Sequence, residues 1–236
     1  MSSLQIDGVE LLVQRGPTTD APILWGSYPM VPFAGRISRG MFSFDGADYD
    51  LPTNHPPHAM HGYGLFSEWD RVDDTTISLQ LAEPWPFAGS VTQHFDLDDD
   101  RLAITMSTTA TDRQPMMVGW HPWWVRSTRF GVLELDFQPE LMYRRGEDGL
   151  PDGALVPPSS GPWDDCFTQL AADPVLRWGE FAVTLSSSTR HWVVFDELDH
   201  AVCVEPQSGP PNMINTMPDV LDAGETLTHT FTVSWF

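Results

Sequence analysis

The chain has 236 residues, 33 of them acidic and 12 basic, every basic one an arginine, giving a formal net charge of −21. Such a field repels nucleic acid and anionic membranes and, more weakly, phosphorylated substrates, so a neutral small molecule is the expected partner. The 41% of hydrophobic residues suffices for a sizeable core, yet no run approaches the roughly 18 apolar residues of a bilayer span.

Two further features bear on location. The opening MSSLQIDGVELLVQRG has no basic segment followed by an apolar run, the mark of a secretory signal. Cys166 and Cys203 stand alone, without CxxC spacing, which points to a reduced, cytoplasmic setting rather than a disulfide framework.

Helical periodicity is scarce, and short β-branched and aromatic runs recur between Gly, Pro, Asp and Asn. Residues 3–6 and 9–14 flank Asp7-Gly8, and residues 41–44 and 48–51 flank Asp45-Gly46; both read as hairpins. Further strands are expected over 76–81, 90–97, 102–109, 132–137, 181–186, 192–196, 201–205 and 226–235. The Pro- and Gly-rich stretch 144–165 reads as loop, without a composition shift to mark a boundary. The expected fold is all-β, a large antiparallel β-sandwich in one domain over 1–236.

Five stretches could carry chemistry. In NHPPHAMHG, residues 54–62, three histidines fall within seven residues. A zinc site there is disfavoured, because Pro56-Pro57 stiffens the first interval and no cysteine or carboxylate lies nearby. His55 and His58 read as exposed loop residues. His61 differs, since Gly62 and Gly64 leave room for close backbone approach.

In MMVGWHPWW, residues 116–124, Pro122 biases His121 to an extended backbone. Aromatic walls around a titratable ring suit a sugar site, because pyranose C–H faces lie on aromatic rings. The local sequence fits a core histidine among tryptophans equally well. In AVCVEPQSGPPNMIN, residues 201–215, Ala201, Cys203 and Glu205 share one strand face, with Val202 and Val204 on the other. Pro206 should end that strand. A strand-end glutamate followed by polar Gln207 suits a site, though such residues are commonly just solvated.

Arg36 follows the apolar run YPMVPFAG, so it should be paired with a carboxylate or aimed at ligand oxygens, while Arg39 reads as surface. In WDDCF, residues 163–167, Asp164 and Asp165 lie beside aromatics and stay ambiguous on their own.

In this order, PMVPFAGRISRGMF, DYDLPTN…HG with Trp69 downstream, PWPFAGSVTQHFDLDDDRLAITM, GWHPWW, DDCF, VEPQSGPPNMIN and LDAGETLTHTF resemble the aldose 1-epimerase (galactose mutarotase-like) family over about residues 10–236. The resemblance implies a β-supersandwich with a sugar in an open cleft, and a cofactor-independent exchange of α and β anomers. It places the catalytic glutamate on Glu205 and the general-acid histidine on His121, facing each other across the sugar ring. His61, Arg36 and Asp164 would bind substrate with Gln207 beside them, and Asp165 is the alternative to Asp164. No metal or other cofactor is expected; the partner is a monosaccharide, and oligomeric state is open.

On this scheme Glu205 starts ionised and His121 protonated, the surrounding negative charge raising the imidazole's pKa; His61 and Arg36 hold oxygens as donors. One departure is Gly35, where relatives commonly carry Asn before the arginine. Alternatives are a hexose-phosphate epimerase, for which Arg113, Arg126 and Arg129 could supply a basic pocket, and a non-catalytic sugar-binding protein on the same scaffold.

Overall fold

The computed structural model describes residues 1–236. Two large antiparallel sheets dominate it. The nine-stranded sheet runs in the spatial order Ser127–Thr128, Gly131–Asp136, Val175–Trp178, Phe181–Ser187, Thr226–Trp235, Arg101–Ala110, Gly89–Leu97, Thr76–Leu81 and Asp70–Arg71. The seven-stranded sheet runs Pro151–Val156, Pro139–Arg145, Asp164–Leu170, His191–Phe195, Ala201–Gln207, Gly119–Val125 and Ser27–Met30. The only α-helix is the single turn Met213–Thr216, and no helix is long and apolar enough to cross a membrane.

Alternation of side chains explains the layering. Along Arg101–Ala110, Leu102, Ile104 and Met106 are buried while the intervening residues are not. From the other sheet Trp120, Trp124, Val202 and Val204 join the same continuous core. Trp120 meets Phe231 at 5.9 Å between ring centroids, and Trp178 donates its indole N–H to the Val125 carbonyl at 3.0 Å, so the two sheets are fastened through tryptophans. Burying such side chains is worth roughly 1.5–3 kcal/mol each, which makes this face the one the strand register must respect.

Both Asp-Gly hairpins form. Asp7 and Gly8 take φ 51° and 71°, Asp45 and Gly46 φ 50° and 80°, the left-handed pair that a two-residue turn needs to match strand twist. The 144–165 stretch departs from its reading as loop: Pro139–Arg145 and Pro151–Val156 pair as the outer hairpin of the seven-stranded sheet, and Asp164 opens the next strand. Edge strands tolerate proline, which is why a Pro-rich sequence still forms this ribbon.

The strand expected to stop before Pro206 instead continues to Gln207, with Pro206 opposite Trp192. On its other side Gly119 stands opposite Gln207 and Trp123 opposite Cys203, with no bridge at the three positions between. Pro122 and Pro206 both fall in that interval. Their missing N–H groups are accommodated where the ladder is already interrupted.

Candidate active site

The interrupted ladder is where the side chains of interest converge. Register puts His121 opposite Tyr28 on one side and, between the Gly119/Gln207 and Trp123/Cys203 pairs, at the level of Glu205 on the other. Tyr28, His121 and Glu205 therefore form one row across three strands, on the sheet face away from the core. His121 Nε2 lies 3.2 Å from Glu205 Oε1, with both side chains almost wholly buried. Gln207, two residues along the same strand, donates its amide to Glu205 Oε2 at 3.0 Å.

The imidazole of His121 is clamped. Tyr28 stacks on it at 4.8 Å and Trp123 at 5.3 Å between centroids, while His61 meets it edge-on at 4.9 Å. Strand alternation sorts the tryptophans: Trp123 lines the cavity with His121, whereas Trp120 and Trp124 pack beneath it. The cavity has a volume of about 370 Å³, in the range of small-molecule sites. Around it stand Arg36, His61, His121, Asp164, Glu205 and Gln207, with apolar walls from Trp123, Phe195, Val193 and Met60. All six residues named from sequence meet at this one hollow.

Local geometry explains how each is delivered. Arg36-Ile37 and Ala59-Met60 form a two-stranded ribbon, bringing Arg36 beside the segment that ends in His61. His61 and Gly62 take φ 61° and 66° in succession, a left-handed kink that turns the histidine inward and is unfavourable for a non-glycine residue. It is held by His61 N–H to the Gly35 carbonyl at 2.8 Å, and by Tyr63 and Gly64 N–H to the Val31 carbonyl at 2.9 and 3.0 Å. A Cβ at Gly62 would sit 2.3 Å from that Val31 oxygen, so only glycine fits. Gly35, at φ 61°, faces Pro211, whose atoms would lie 3.0 Å from a Cβ there. Pro211 thus occupies wall space where a side chain preceding Arg36 would extend.

Arg36 meets the first of its two expectations: it pairs with Asp164 at 3.3 Å. Arg145, for which the sequence held no signal, binds the same carboxylate at 3.2 Å, the Asp164 carbonyl at 2.9 Å and Asp165 at 3.5 Å. Of the two adjacent acids, Asp164 faces the cavity and Asp165 lies behind it against Arg145. Tyr28 was likewise silent in sequence, since its place depends on a strand pairing 93 residues away, read from Tyr28↔His121.

One histidine assignment changes. His58 is buried, its Nδ1 accepting from Arg39 N–H at 3.2 Å and its Nε2 meeting the Asp148 carbonyl at 3.0 Å, so it fastens loops instead of lying exposed. His55 is exposed but borders the cavity. Nor do the three histidines of that stretch converge on one point.

The electrostatic expectation for the pair is also overturned. Burial pushes the His121 pKa down to about 3, against the rise expected from surface charge. Burial raises Glu205 well above the usual carboxylate range, with Asp164 adding to the rise and Gln207 and Arg36 opposing it. His61 is driven low by burial, then by His121 and Arg36, so it is a neutral ring and not a charged donor. The reason is distance: surface carboxylates act through water, whereas desolvation acts on the ring itself.

The opposed arrangement fails as well. At 3.2 Å from Nε2 to Oε1 no ring fits between the two groups. They stand side by side on one wall. Four buried polar atoms of cavity residues, His61 Nδ1, His121 Nδ1, Trp123 Nε1 and Gln207 Oε1, have no partner within the protein, and buried groups left in this way call for water or a bound molecule.

Comparison with known proteins bears on the family and the fold. The family model for aldose 1-epimerase matches residues 9–234. The chain belongs to the aldose 1-epimerase family. It is similar in structure to galactose 1-epimerase from Lactobacillus acidophilus NCFM, with TM-score 0.82 and 15% identity over 100% of this chain and 88% of that one. A galactose mutarotase-like protein from Clostridium acetobutylicum gives TM-score 0.81 at 14% identity, covering 97% and 86%. In sequence it is 34% identical to the uncharacterized Escherichia coli K12 protein YphB over 117 residues, 47% of this chain and 39% of YphB, so the aligned segment spans well under half of that relative.

Proposed function

We propose that this aldose epimerase family member interconverts the α and β anomers of a free hexose, with Glu205 and His121 as the acid–base pair. The observation that carries the reading is the 3.2 Å contact between His121 Nε2 and Glu205 Oε1 on the wall of the cavity. Anomer exchange moves one proton off the C1 hydroxyl and one onto the ring oxygen. Both oxygens are bonded to C1, so they are closer together than two hydrogen-bonded heavy atoms. Adjacent acid and base atoms suit such a pair of targets, each group addressing one oxygen.

Proton count supports the same conclusion. Between the low pKa of His121 and the high pKa of Glu205 the pair holds one proton. Whichever group carries it delivers it to the ring oxygen while the other takes the hydroxyl proton. The C1–ring oxygen bond breaks, the hydroxyl electron pair forms the aldehyde, and C1 turns about its bond to C2. Closure on the other face runs the transfers in reverse and restores the pair, so the cycle closes on these residues' own protons without a cofactor. Each group of such a pair is worth typically ~10²–10⁴-fold. His61, Gln207 and the Arg36–Asp164 couple stand where sugar hydroxyls would be held.

Charge favours an unphosphorylated sugar. Arg36 and Arg145 are already matched by Asp164 and Asp165. Arg113 is bound to Asp45 and Asp222, Arg126 to the carbonyls of Asp196 and Leu198, and Arg129 to the Asp7 carbonyl. None of these three lines the cavity. Polarimetry of fresh α-D-glucose and α-D-galactose, beside their 6-phosphates, tests the proposal: accelerated mutarotation of a free hexose is expected. Saturable sugar binding without any rate enhancement would replace it with a pure binding role.

A further inference from the structure

Cys203 lies two residues before Glu205 on the same strand face and opposite Trp123. Its position brings a thiol to the catalytic pair for which the proton exchange has no use. We propose that His121, Cys203 and Glu205 form a site for one thiophilic divalent cation, zinc or cadmium, whose binding shuts the acid–base pair off.

The geometry is close to what such an ion needs. One nitrogen, one sulfur and one carboxylate oxygen from these residues lie within 4.8 Å of one another. A tetrahedral zinc site with bonds of 2.0–2.3 Å separates its donors by roughly 3.3–3.6 Å. The Nε2–Oε1 edge is 3.2 Å, so the ion needs chiefly to draw the sulfur inward, by at most about 1.2–1.5 Å from the 4.8 Å limit. The three residues are 5%, 0% and 2% exposed in the order given, and the fourth position opens toward the cavity that His121 and Glu205 line.

Charge and chemistry agree. A thiolate and a carboxylate neutralise a divalent ion, which removes the desolvation penalty that keeps both groups protonated when no ion is bound. The thiol proton and the proton shared by the pair leave to solvent, so affinity rises with pH. The net charge of −21 raises the local cation concentration. Once bound, the ion occupies the Nε2 lone pair and the carboxylate, the two atoms that the exchange requires. Hard cations such as magnesium lack this preference for sulfur. The histidines at 55, 58 and 61 offer no such set, because both ring nitrogens of His58 are engaged.

Binding is read without reference to activity, by titrating cadmium into the full chain and following the ultraviolet sulfur-to-cadmium charge-transfer band. The band is expected to saturate at one ion per chain, to disappear when zinc is added in competition, to persist in Cys166→Ala and to be lost in Cys203→Ala. Cys203→Ser, which keeps the volume and lacks the soft donor, is a second variant should the alanine disturb packing. The inhibition limb rests on the proposed epimerase reading: cadmium should slow mutarotation by the unaltered chain and do so about tenfold or more less effectively in either Cys203 variant. No band in the unaltered chain, a band retained in both Cys203 variants, or undiminished cadmium sensitivity in them overturns the site. A band that behaves as expected in a chain with no mutarotase activity would overturn the epimerase reading and leave the metal site standing.

Discussion

Replacing Glu205 by Gln tests the shared-proton pair most directly. The amide is nearly isosteric, can still accept from Gln207 through its oxygen while its NH2 group faces His121 Nε2, and removes a buried titratable group. A single acid or base is worth ~10²–10⁴-fold. Here the loss should lie at or beyond the upper end, because at 3.2 Å the two groups exchange one proton and neither can act when the other is mute. His121→Asn should therefore cost about as much, and the double variant little more than either single one. The assay is the first-order rate of optical-rotation change for fresh α-D-galactose, after subtraction of the spontaneous rate, with thermal melts as a fold check. Since burial favours the protonated form of Glu205, the glutamine should melt no lower than the parent. Two single losses that multiply in the double variant would refute the coupling. Retained activity in Glu205→Gln would remove Glu205 from the chemistry.

Other outcomes follow from single contacts. Arg145→Met leaves Asp165 buried without its cation and frees Asp164 from one of two clamps; urea melts should show a loss of about 1–3 kcal/mol, and KM should rise more than kcat falls. An unchanged KM would exclude Arg145 as a positioning residue. Gly62→Ala sets a Cβ 2.3 Å from the Val31 oxygen at a left-handed φ, so a drop in melting temperature together with loss of sugar binding is expected; a variant normal in both would refute the kink's role. Stability should also be bracketed in pH. His121 has a folded pKa near 3 against 6.5 unfolded, so the unfolded chain binds more protons in that window and stability climbs as pH rises through it. Glu205 has the opposite sign: its folded pKa is raised, so its contribution is present below the ordinary carboxylate pKa and falls as pH rises toward the folded value. Denaturant midpoints across pH should show the alkaline fall disappear in Glu205→Gln and the acid limb flatten in His121→Asn.

Much of this architecture is legible in the chain because it is local. Asp7-Gly8 and Asp45-Gly46 demand left-handed residues that only certain turns supply, and both form hairpins. The alternation of Val202 and Val204 against Glu205 and Gln207 separates a core face from a cavity face, and the structure keeps that division, with Cys203 buried beside the cavity as part of the core. Positions fixed by long-range pairing are not legible. Tyr28, Arg145 and Phe195 reach the site through register with distant strands, and no neighbouring residue announces them. Pro206 was misleading because its effect on a ladder depends on whether the neighbouring strand offers an acceptor there, and at this row it does not.

The protonation of the pair was the other illegible element, and it changes how such a site works. Formal charge is a property of the whole chain and acts across solvent, screened within about 8–10 Å at ordinary salt. The field felt by His121 comes instead from Tyr28, Trp123 and His61, all in ring contact with it, and these offer no charge. An imidazole so enclosed is disfavoured from holding a proton by itself, and the carboxyl group 3.2 Å away is the neighbour with which the proposed mechanism has it share one. On the proposed epimerase reading, placing acid and base on one wall therefore does more than fit two oxygens of the same carbon. It lets a dry cavity keep a transferable proton without stabilising two separate buried ions, which would otherwise cost several kcal/mol each, and it makes the forward and reverse transfers equivalent. An anomer exchange, whose reactant and product differ only at one carbon, is the kind of reaction that gains from that symmetry.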